Sequence, residues 1–313
     1  MSKSLLVAGS IAFDSLKTRA GERTDILGGA ATYISIAAGY FSPVNLVAVV
    51  GKNDFPDNYA DLLKKHGVNL DGLEYQAGKT FRWQGEYADD FSTRQTLGTE
   101  LGVFENFDPK IPDNYKNPDI LLLGNISPSV QLKVLERSKG TPFVITDTMN
   151  LWMDIALEDL KKIISKTDLL VINDEEAAIL SGQPQIIKAA RAILKTGPEY
   201  LIIKRGEHGA FLFKGNASVA DNELFFAPAI PLEDVVDPTG AGDSFVGGLA
   251  GYLAHQNSEI DITSIKKAMF YGTAIASATC EGFGTEQTSS ILQDEIEQRV
   301  KMLKAIVKIL QNQ

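Results

Sequence analysis

Cysteine occurs once in 313 residues, as Cys280. No intrachain disulfide can form, and a thiolate metal cluster is excluded. The three histidines, His66, His208 and His255, stand without ligand spacing and read as surface or loop residues. No apolar run is long enough to span a membrane. The opening "MSKSLLVAGSIAFDSL" lacks the long apolar stretch and small-residue cleavage site of a signal peptide. A cytoplasmic location is therefore expected, in keeping with the single thiol. Positive charge is also scarce: 30 Lys and Arg face 40 Asp and Glu, a net charge of −10. That balance argues against nucleic acid, whose phosphates demand clustered cations. Any bound anion must rely on a local positive field, from helix N-termini, a few basic side chains or a metal. Neither a G-x-x-x-x-G-K-[ST] loop nor an H-R-D loop is present, which removes Walker-type and protein kinases. The first apolar run, "VAGSIAFDSL", lacks the G-x-G-x-x-G turn of a dinucleotide oxidoreductase.

The chain is rich in apolar runs that end at polar residues: "SLLVAGS", "VNLVAVVG", "DILLLGN", "PFVITDT", "DLLVIND" and "EYLIIKRG". Between them lie stretches of helical spacing, at Ala30–Gly39, Asp57–His66, Ser129–Arg137 and Gln185–Leu194. Apolar strands alternating with helices predict an α/β fold, a mostly parallel sheet covered on both faces. Ligands in such sheets sit beyond the carboxyl ends of the strands. Those ends carry Asp14, Asn125, Asp147, Asn173, Asp174 and Lys204. Residues 72–101 break the alternation, being polar and rich in threonine and aromatics. With residues 15–27 they are expected to form a small appended β-sheet, either a lid or an edge hairpin. Arg82, Trp83 and Arg94 are costly choices for a passive flap, which favours the lid. The C-terminal part from Ser258 reads as helices, ending in the amphipathic "DEIEQRVKMLKAIVKIL".

The densest cluster of glycine is "VVDPTGAGDSFVGGLAGYLA", residues 235–254. Gly240 and Gly242 permit a sharp turn and a close backbone approach. A helix starting here leaves the amides of Ala241, Gly242 and Asp243 free, and with the helix dipole they form an anion hole. Asp243 beside that hole is electrostatically unfavourable unless it serves as a base, taking a proton from a hydroxyl that attacks the anion. That is the pattern of phosphoryl transfer to an alcohol. Taken alone, the turn reads first as an ordinary helix start with Asp243 as its N-cap.

The string "DPTGAGDSFVGGLA" resembles the D-T-x-G-A-G-D signature of the ribokinase (PfkB) family of carbohydrate and nucleoside kinases, with Pro238 standing where the signature usually has threonine. The likeness runs along nearly the whole chain. "LLVAGSIAFDSL" is similar to the family's first strand, whose aspartate binds acceptor hydroxyls, and Asp14 takes that place. "LGGAATYISIAAG" is similar to its glycine pair, here Gly28 and Gly29. "VINDEEAAILSG" is similar to the N-x-x-E motif, which puts Asn173 and Glu176 near magnesium and phosphates. "IIKRGEHGAFLF" is similar to the strand–G-x-x-G–strand turn beside the nucleotide, with Gly206 and Gly209.

The resemblance implies one kinase domain over 1–313, with a ribokinase-like, Rossmann-like central sheet flanked by helices and a small β lid from about 15–27 and 72–101. It implies ATP and Mg2+, with a monovalent cation such as K+ as a further candidate. Asp243 is then the catalytic base, with Gly240, Ala241 and Gly242 forming the anion hole. Asp14, Gly28, Gly29 and Arg82 bind the acceptor. Lys204, Gly206, Gly209 and Thr239 meet the nucleotide, and Asn173 and Glu176 the metal, mainly through water.

Each assignment has a structural counterpart. Asn173 and Glu176 fit a capped helix start, Asp147 an N-cap, Gly206 and Gly209 a hairpin turn. Arg82 and Trp83 fit a surface cation–π pair, and Cys280 a buried inert thiol. "CEGFGTE" fits both a glycine C-cap and the family's adenine or cation loop. Where the family often has asparagine after its glycine pair, this chain has Tyr33, either a core residue or a wall of the acceptor pocket. A free sugar is the leading acceptor. A nucleoside remains open through Trp83 and Tyr33, and a sugar phosphate through Arg82 and Arg94. A non-catalytic nucleotide sensor is the further alternative. The oligomeric state is not legible, and a homodimer through the lid is one candidate assembly.

Overall fold

The structure, a computed structural model, describes residues 2–91, 93–215 and 224–307. Residue 92 of the expected lid and the end of the expected last helix, from 308, lie outside the described residues. In chain order the strands are β1 (Leu5–Ala8), β2 (Ala12–Thr18), β3 (Gly21–Gly28), β4 (Val44–Gly51), β5 (Val68–Gln76), β6 (Phe81–Tyr87), β7 (Arg94–Glu100), β8 (Ile120–Leu123), β9 (Phe143–Asp147), β10 (Leu169–Asn173), β11 (Tyr200–Lys204), β12 (Ala210–Lys214) and β13 (Leu224–Ala227). The helices are α1 (Ala30–Gly39), α2 (Asp57–Lys65), α3 (Pro128–Arg137), α4 (Asn150–Ile155), α5 (Leu157–Ile164), α6 (Asp174–Ser181), α7 (Ile186–Leu194), α8 (Ala241–His255), α9 (Ile262–Thr279) and α10 (Gln293–Ile306).

Nine strands form one sheet in the order β13-β12-β11-β10-β9-β8-β1-β4-β5. All its pairs are parallel except β11–β12 and β12–β13. The strands are nearly continuous runs of Leu, Ile and Val because both faces are buried. Along β1 the side chains alternate: Leu5 and Val7 join the core that includes α1, α8, α9 and α10, while Leu6 and Ala8 join the one that includes α3, α5 and α7. The strand order reverses at β1, whose neighbours are β4 and β8. This is the switch point beyond which open α/β sheets leave a crevice.

A second sheet, β3-β2-β6-β7, stands apart. Its β2–β6 pair is parallel, and its β2–β3 and β6–β7 pairs are antiparallel. Its bounds differ from the sequence expectation. Residues 72–76 belong instead to β5, at the edge of the large sheet, where Gly72 to Gln76 run in register with Val47 to Gly51. The small sheet also starts earlier than expected, at Ala12, so Asp14 lies within it rather than at the end of the first strand. Gly9 to Ile11 break the chain between the two sheets.

The glycines of α8 explain its unusual composition. A Cβ on Gly247 would stand 2.4 Å from the Ile34 carbonyl oxygen, and one on Gly251 2.5 Å from that of Ala38. Gly248 faces Gly272 of α9, where a Cβ would reach its Cα at 3.1 Å. Backbone thus packs on backbone, and α1 and α8 are drawn together. That contact brings the Gly28–Gly29 turn at the start of α1 beside the Gly240–Asp243 turn at the start of α8.

Arg82 fastens the small sheet to the large one. Its guanidinium donates to Asp54 at 2.9 Å, lies 3.4 Å from Asp25, and covers the Phe13 ring at 4.8 Å. Hydrogen bonds from Thr80 and Arg82 outweigh partial burial and hold the Asp54 carboxyl below its usual range. Its stabilisation is present above the unfolded carboxylate range and lost as pH falls through the lowered value. Arg82→Gln should therefore lower stability by about 1 kcal/mol near neutral pH. Urea unfolding at pH 7 and pH 3 checks this, the difference between variant and parent shrinking at pH 3.

Candidate active site

Four strand and helix ends bring their polar side chains together. Asp147 ends β9, Asn173 ends β10 and precedes Glu176 in α6, Lys204 ends β11, and Asp243 lies in the first turn of α8. Lys204 Nζ stands 3.2 Å from Asp147 Oδ1, both side chains largely buried. Burial by itself would lower the Lys204 pKa, but the charges of Asp147, Glu176 and Asp243 together hold it above the usual lysine value. The lysine is thus a fixed cation among three carboxylates. It also overhangs the glycine turn, since a Cβ on Gly242 would stand 3.1 Å from Nζ.

Gly240 caps α8 in the left-handed conformation, at φ 77°. Asp243 is not that cap and makes no side-chain capping bond. Its Oδ1 is buried with no hydrogen-bond partner. Desolvation and the nearby Asp147 charge raise its pKa against the opposing pull of Lys204 and Arg94. Of the amides expected to be free, that of Ala241 donates to the Pro238 carbonyl at 3.2 Å. This leaves the amides of Gly242, under the Lys204 ammonium, and Asp243 as the open donors of the turn among the described residues.

Asp14 is buried on β2, and desolvation, reinforced by Asp237 and Asp243, pushes its carboxyl up to about 7. The nearby Gly29 amide opposes that rise. Gly28 has no room for a side chain, because a Cβ would fall 1.9 Å from Asp14 Oδ2. At Gly29, with φ 89°, a Cβ would strike the Ser10 carbonyl oxygen at 2.6 Å. The glycine pair thus lets Asp14 and the start of α1 share one space.

Asn173 and Glu176 form a reciprocal capping box, the Glu176 amide donating to Asn173 Oδ1 at 2.7 Å and the Asn173 amide to Glu176 Oε2 at 2.8 Å. The helix-start reading is realised, and it also buries Glu176 within reach of Lys204 and Asp147. Desolvation pushes Glu176 up to about 7 despite the lysine. Among the described residues no three Asp, Glu, His or Cys side chains gather into a closed metal site. The donors present are hard oxygens with lone pairs to spare, which fits an ion that keeps most of its waters.

Thr239 faces the small sheet, its hydroxyl donating to the Tyr87 phenol at 3.0 Å and its amide to Asp237 Oδ1 at 2.9 Å. Asp237 is fully buried and also accepts from the Gly284 amide at 3.1 Å, while the Cys280 carbonyl accepts from Val236. The "CEGFGTE" segment therefore packs directly on the turn, and burial raises the Cys280 thiol to about 12, which keeps it inert. Gly206 and Gly209 form the turn between β11 and β12 at φ 52° and 81°. Space around Gly206 is open, whereas a Cβ on Gly209 would reach the Ala227 carbonyl oxygen at 2.3 Å. Neither glycine touches the carboxylate cluster.

Arg82 does not join the cluster either, its cation being engaged by Asp54 and Asp25. The arginine of the small sheet whose charge does act on it is Arg94, which lowers the pKa of Asp14, Asp243 and Tyr87. Its guanidinium also covers the Trp83 ring at 5.2 Å. Trp83 is the register partner of Asp14 across β2–β6, so the two stand side by side. Asp147 carries no cap, because α4 starts after Met149.

An acid with a free buried oxygen, open amides at a helix start and a fixed lysine surround one point. This set can take a proton from a hydroxyl and hold negative charge beside it. Comparison with known proteins gives the family. The model of the pfkB family carbohydrate kinases matches residues 4–292. The cytidine kinase of Thermococcus kodakarensis is 32% identical over 255 residues, covering 79% of this chain and 88% of that protein. Aminoimidazole riboside kinase from Salmonella enterica, solved with aminoimidazole riboside and an ATP analogue, superposes with a TM-score of 0.72 at 18% identity, over 95% of this chain and 99% of its own. A double mutant of Vibrio cholerae fructokinase, solved with fructose, ADP and potassium ion, gives a TM-score of 0.75 at 16% identity, over 96% and 99%.

Proposed function

The chain belongs to the pfkB family of carbohydrate kinases, and from that premise we propose that it transfers the γ-phosphate of ATP to the hydroxymethyl group of a ribonucleoside. The observation that carries the chemistry is Asp243 Oδ1, buried and without a partner at the mouth of α8. Its raised pKa suits a base that works near neutral pH. The acceptor hydroxyl gives its proton to Asp243, and its oxygen bonds to the γ-phosphorus. The bond from that phosphorus to the β–γ bridging oxygen breaks, and ADP leaves with the electron pair. The Gly240–Asp243 turn, chiefly the Gly242 and Asp243 amides, and Lys204 stabilise the charge that builds on the phosphoryl oxygens. Asp14 holds a second acceptor hydroxyl, and Gly28 and Gly29 let the acceptor reach it. Asn173 and Glu176, with Asp147, would hold magnesium through water, and the ion when bound neutralises phosphate charge. Gly206 and Gly209 border the nucleotide. Asp237 and the backbone around Gly284 are the candidates for a monovalent cation. The small sheet acts as a lid, closed here by the Tyr87–Thr239 bond and by the charge of Arg94 acting on the acids, so that water is kept from ATP.

Two observations support a nucleoside over the free sugar that leads on sequence alone. Trp83 offers a half-exposed indole beside Asp14, where a base can stack. The cytidine kinase relative is the second. A sugar acceptor is the other reading, supported by relatives such as the probable fructokinase-4 of Arabidopsis thaliana. The test is ADP release from Mg-ATP against cytidine, other nucleosides, ribose, fructose and sugar phosphates. Stimulation by a nucleoside establishes the proposal, stimulation by fructose or ribose alone moves it to the sugar, and ATP binding without stimulation by any acceptor refutes phosphotransfer to this panel.

A further inference from the structure

We propose that the Tyr33 phenol is the second hydrogen-bond partner of the attacking hydroxyl, donating to its oxygen while Asp243 receives its proton. The inference rests on the phosphotransfer reading and deepens it. Tyr33 projects from α1 and is 1% exposed, among the largest fully buried side chains of the chain. Its ring lies on the glycine turn, since a Cβ on Gly240 would meet three ring carbons at 2.4 to 2.5 Å. Its hydroxyl is buried and has no hydrogen-bond partner. Buried polar atoms are nearly always paired, so an orphan calls for an explanation. A second orphan supplies one. Asp243 Oδ1, three residues along the same turn, is also buried and unpartnered. One atom is a donor and the other an acceptor, yet they do not meet.

The group that satisfies both must accept from a phenol and donate to a carboxylate. An alcohol does this with one oxygen. An ether or carbonyl cannot donate to Asp243, and a protonated amine cannot accept from Tyr33. Of the other polar groups facing the phenol, Asp237 is bonded to Thr239 and Gly284 and Tyr87 to Thr239, and neither they nor Asp14 bonds the phenol. Tyr33 is therefore a positioning and selecting group. Its hydrogen bond occupies one lone pair of the attacking oxygen and leaves the other directed at the phosphoryl group over Gly242. Its bulk makes the floor of the acceptor pocket.

The experiment compares Tyr33→Phe with the parent protein, using the acceptor that the ADP-release panel identifies, cytidine in the first instance, and its analogue lacking the reacting hydroxyl, 5′-deoxycytidine. Binding of each is measured by calorimetry without ATP, so that no turnover occurs. The parent is expected to bind the hydroxyl-bearing compound about tenfold more tightly than the deoxy analogue, the worth of one such hydrogen bond. In Tyr33→Phe that ratio should fall to within about twofold, with affinity for the deoxy analogue unchanged. An unchanged ratio overturns the assignment. Thermal melting of the free protein gives a second, independent readout. Because the hydroxyl has no internal partner, Tyr33→Phe should melt no lower than the parent, and a lower melting temperature means an internal partner and overturns the inference. If no acceptor stimulates ADP release the phosphotransfer reading falls instead, and the melting comparison still decides whether the Tyr33 hydroxyl is held in reserve for a ligand.

Discussion

Asp243→Asn is expected to slow acceptor-dependent ADP release by about a thousandfold, within the span that positioned general bases supply, while raising thermal stability at pH 8. The two effects have one cause. In the proposed reaction Asp243 Oδ1, buried without a partner, receives the acceptor proton, and a buried carboxylate with no partner is costly to ionise. Asp14 and Glu176 are pushed up to about 7, and Asp243 is raised as well. The folded chain therefore holds more protons than the unfolded one between the usual carboxylate range and about pH 7. Stability should fall as pH rises through that window and level off above it. Asparagine removes one of these ionisations. A gain of about 1 kcal/mol, roughly 2 °C or more in melting temperature for a chain of this size, should appear at pH 8 and vanish at pH 5, where Asp243 carries its proton in the parent. ATP affinity should change little, because the turn and Lys204 remain. Kinetics and melting at both pH values check this. Retention of more than a tenth of parent activity would remove Asp243 from the role of base, and a loss of stability at pH 8 would mean that its second oxygen has a partner in solution.

The large sheet was legible because its strands are buried on both faces and so carry uninterrupted Leu, Ile and Val. The expected runs ending at Asp147, Asn173 and Lys204 end there in the structure. The small sheet was legible only as a break in pattern. Its strands are half-exposed, and nothing in "GLEYQ" says that it pairs with β4 rather than with β6. Local sequence also could not show where cations find their partners. Arg82 and Arg94 look alike in the chain, yet Asp54 and Asp25 draw the first away while the charge of the second acts on Asp14 and Asp243. Local sequence fits Asp147 to a helix cap, but α4 starts after Met149 and Asp147 pairs with Lys204, 57 residues away. The glycines of α8 were noticed, but their reason, backbone contact with α1 and α9, depends on tertiary packing. The turn also looked more open in sequence than it is, since the Ala241 amide already has the Pro238 carbonyl.

Gly240→Ala should be the most damaging single methyl in the chain's functional turn. Gly240 sits at φ 77°, where a side chain costs about 1–2 kcal/mol. The new methyl would also stand 2.4 Å from the Tyr33 ring, which α1 and the core hold in place. Overpacking of that kind costs a further 1–3 kcal/mol, roughly, so a total loss of about 2–5 kcal/mol is expected. The ring or the turn must move, and either shift separates Tyr33, Gly242 and Asp243. Activity should then fall by about a hundredfold even at temperatures where the variant stays folded, since displacements of about 1 Å are enough. Gly206→Ala is the control. Its φ of 52° carries the same backbone cost, but a Cβ there meets nothing within 4 Å. It should lose only about 1–2 kcal/mol and keep most of its turnover, with any change confined to the KM for ATP. Denaturant unfolding and steady-state kinetics on the two variants separate strain from contact. Equal losses in both would mean that the backbone conformation alone matters and that the Tyr33 ring gives way. A much larger loss in Gly240→Ala, partly recovered when Tyr33 is also replaced by leucine, would show the two residues acting as one unit, the floor on which the acceptor hydroxyl and the phosphoryl group are brought together.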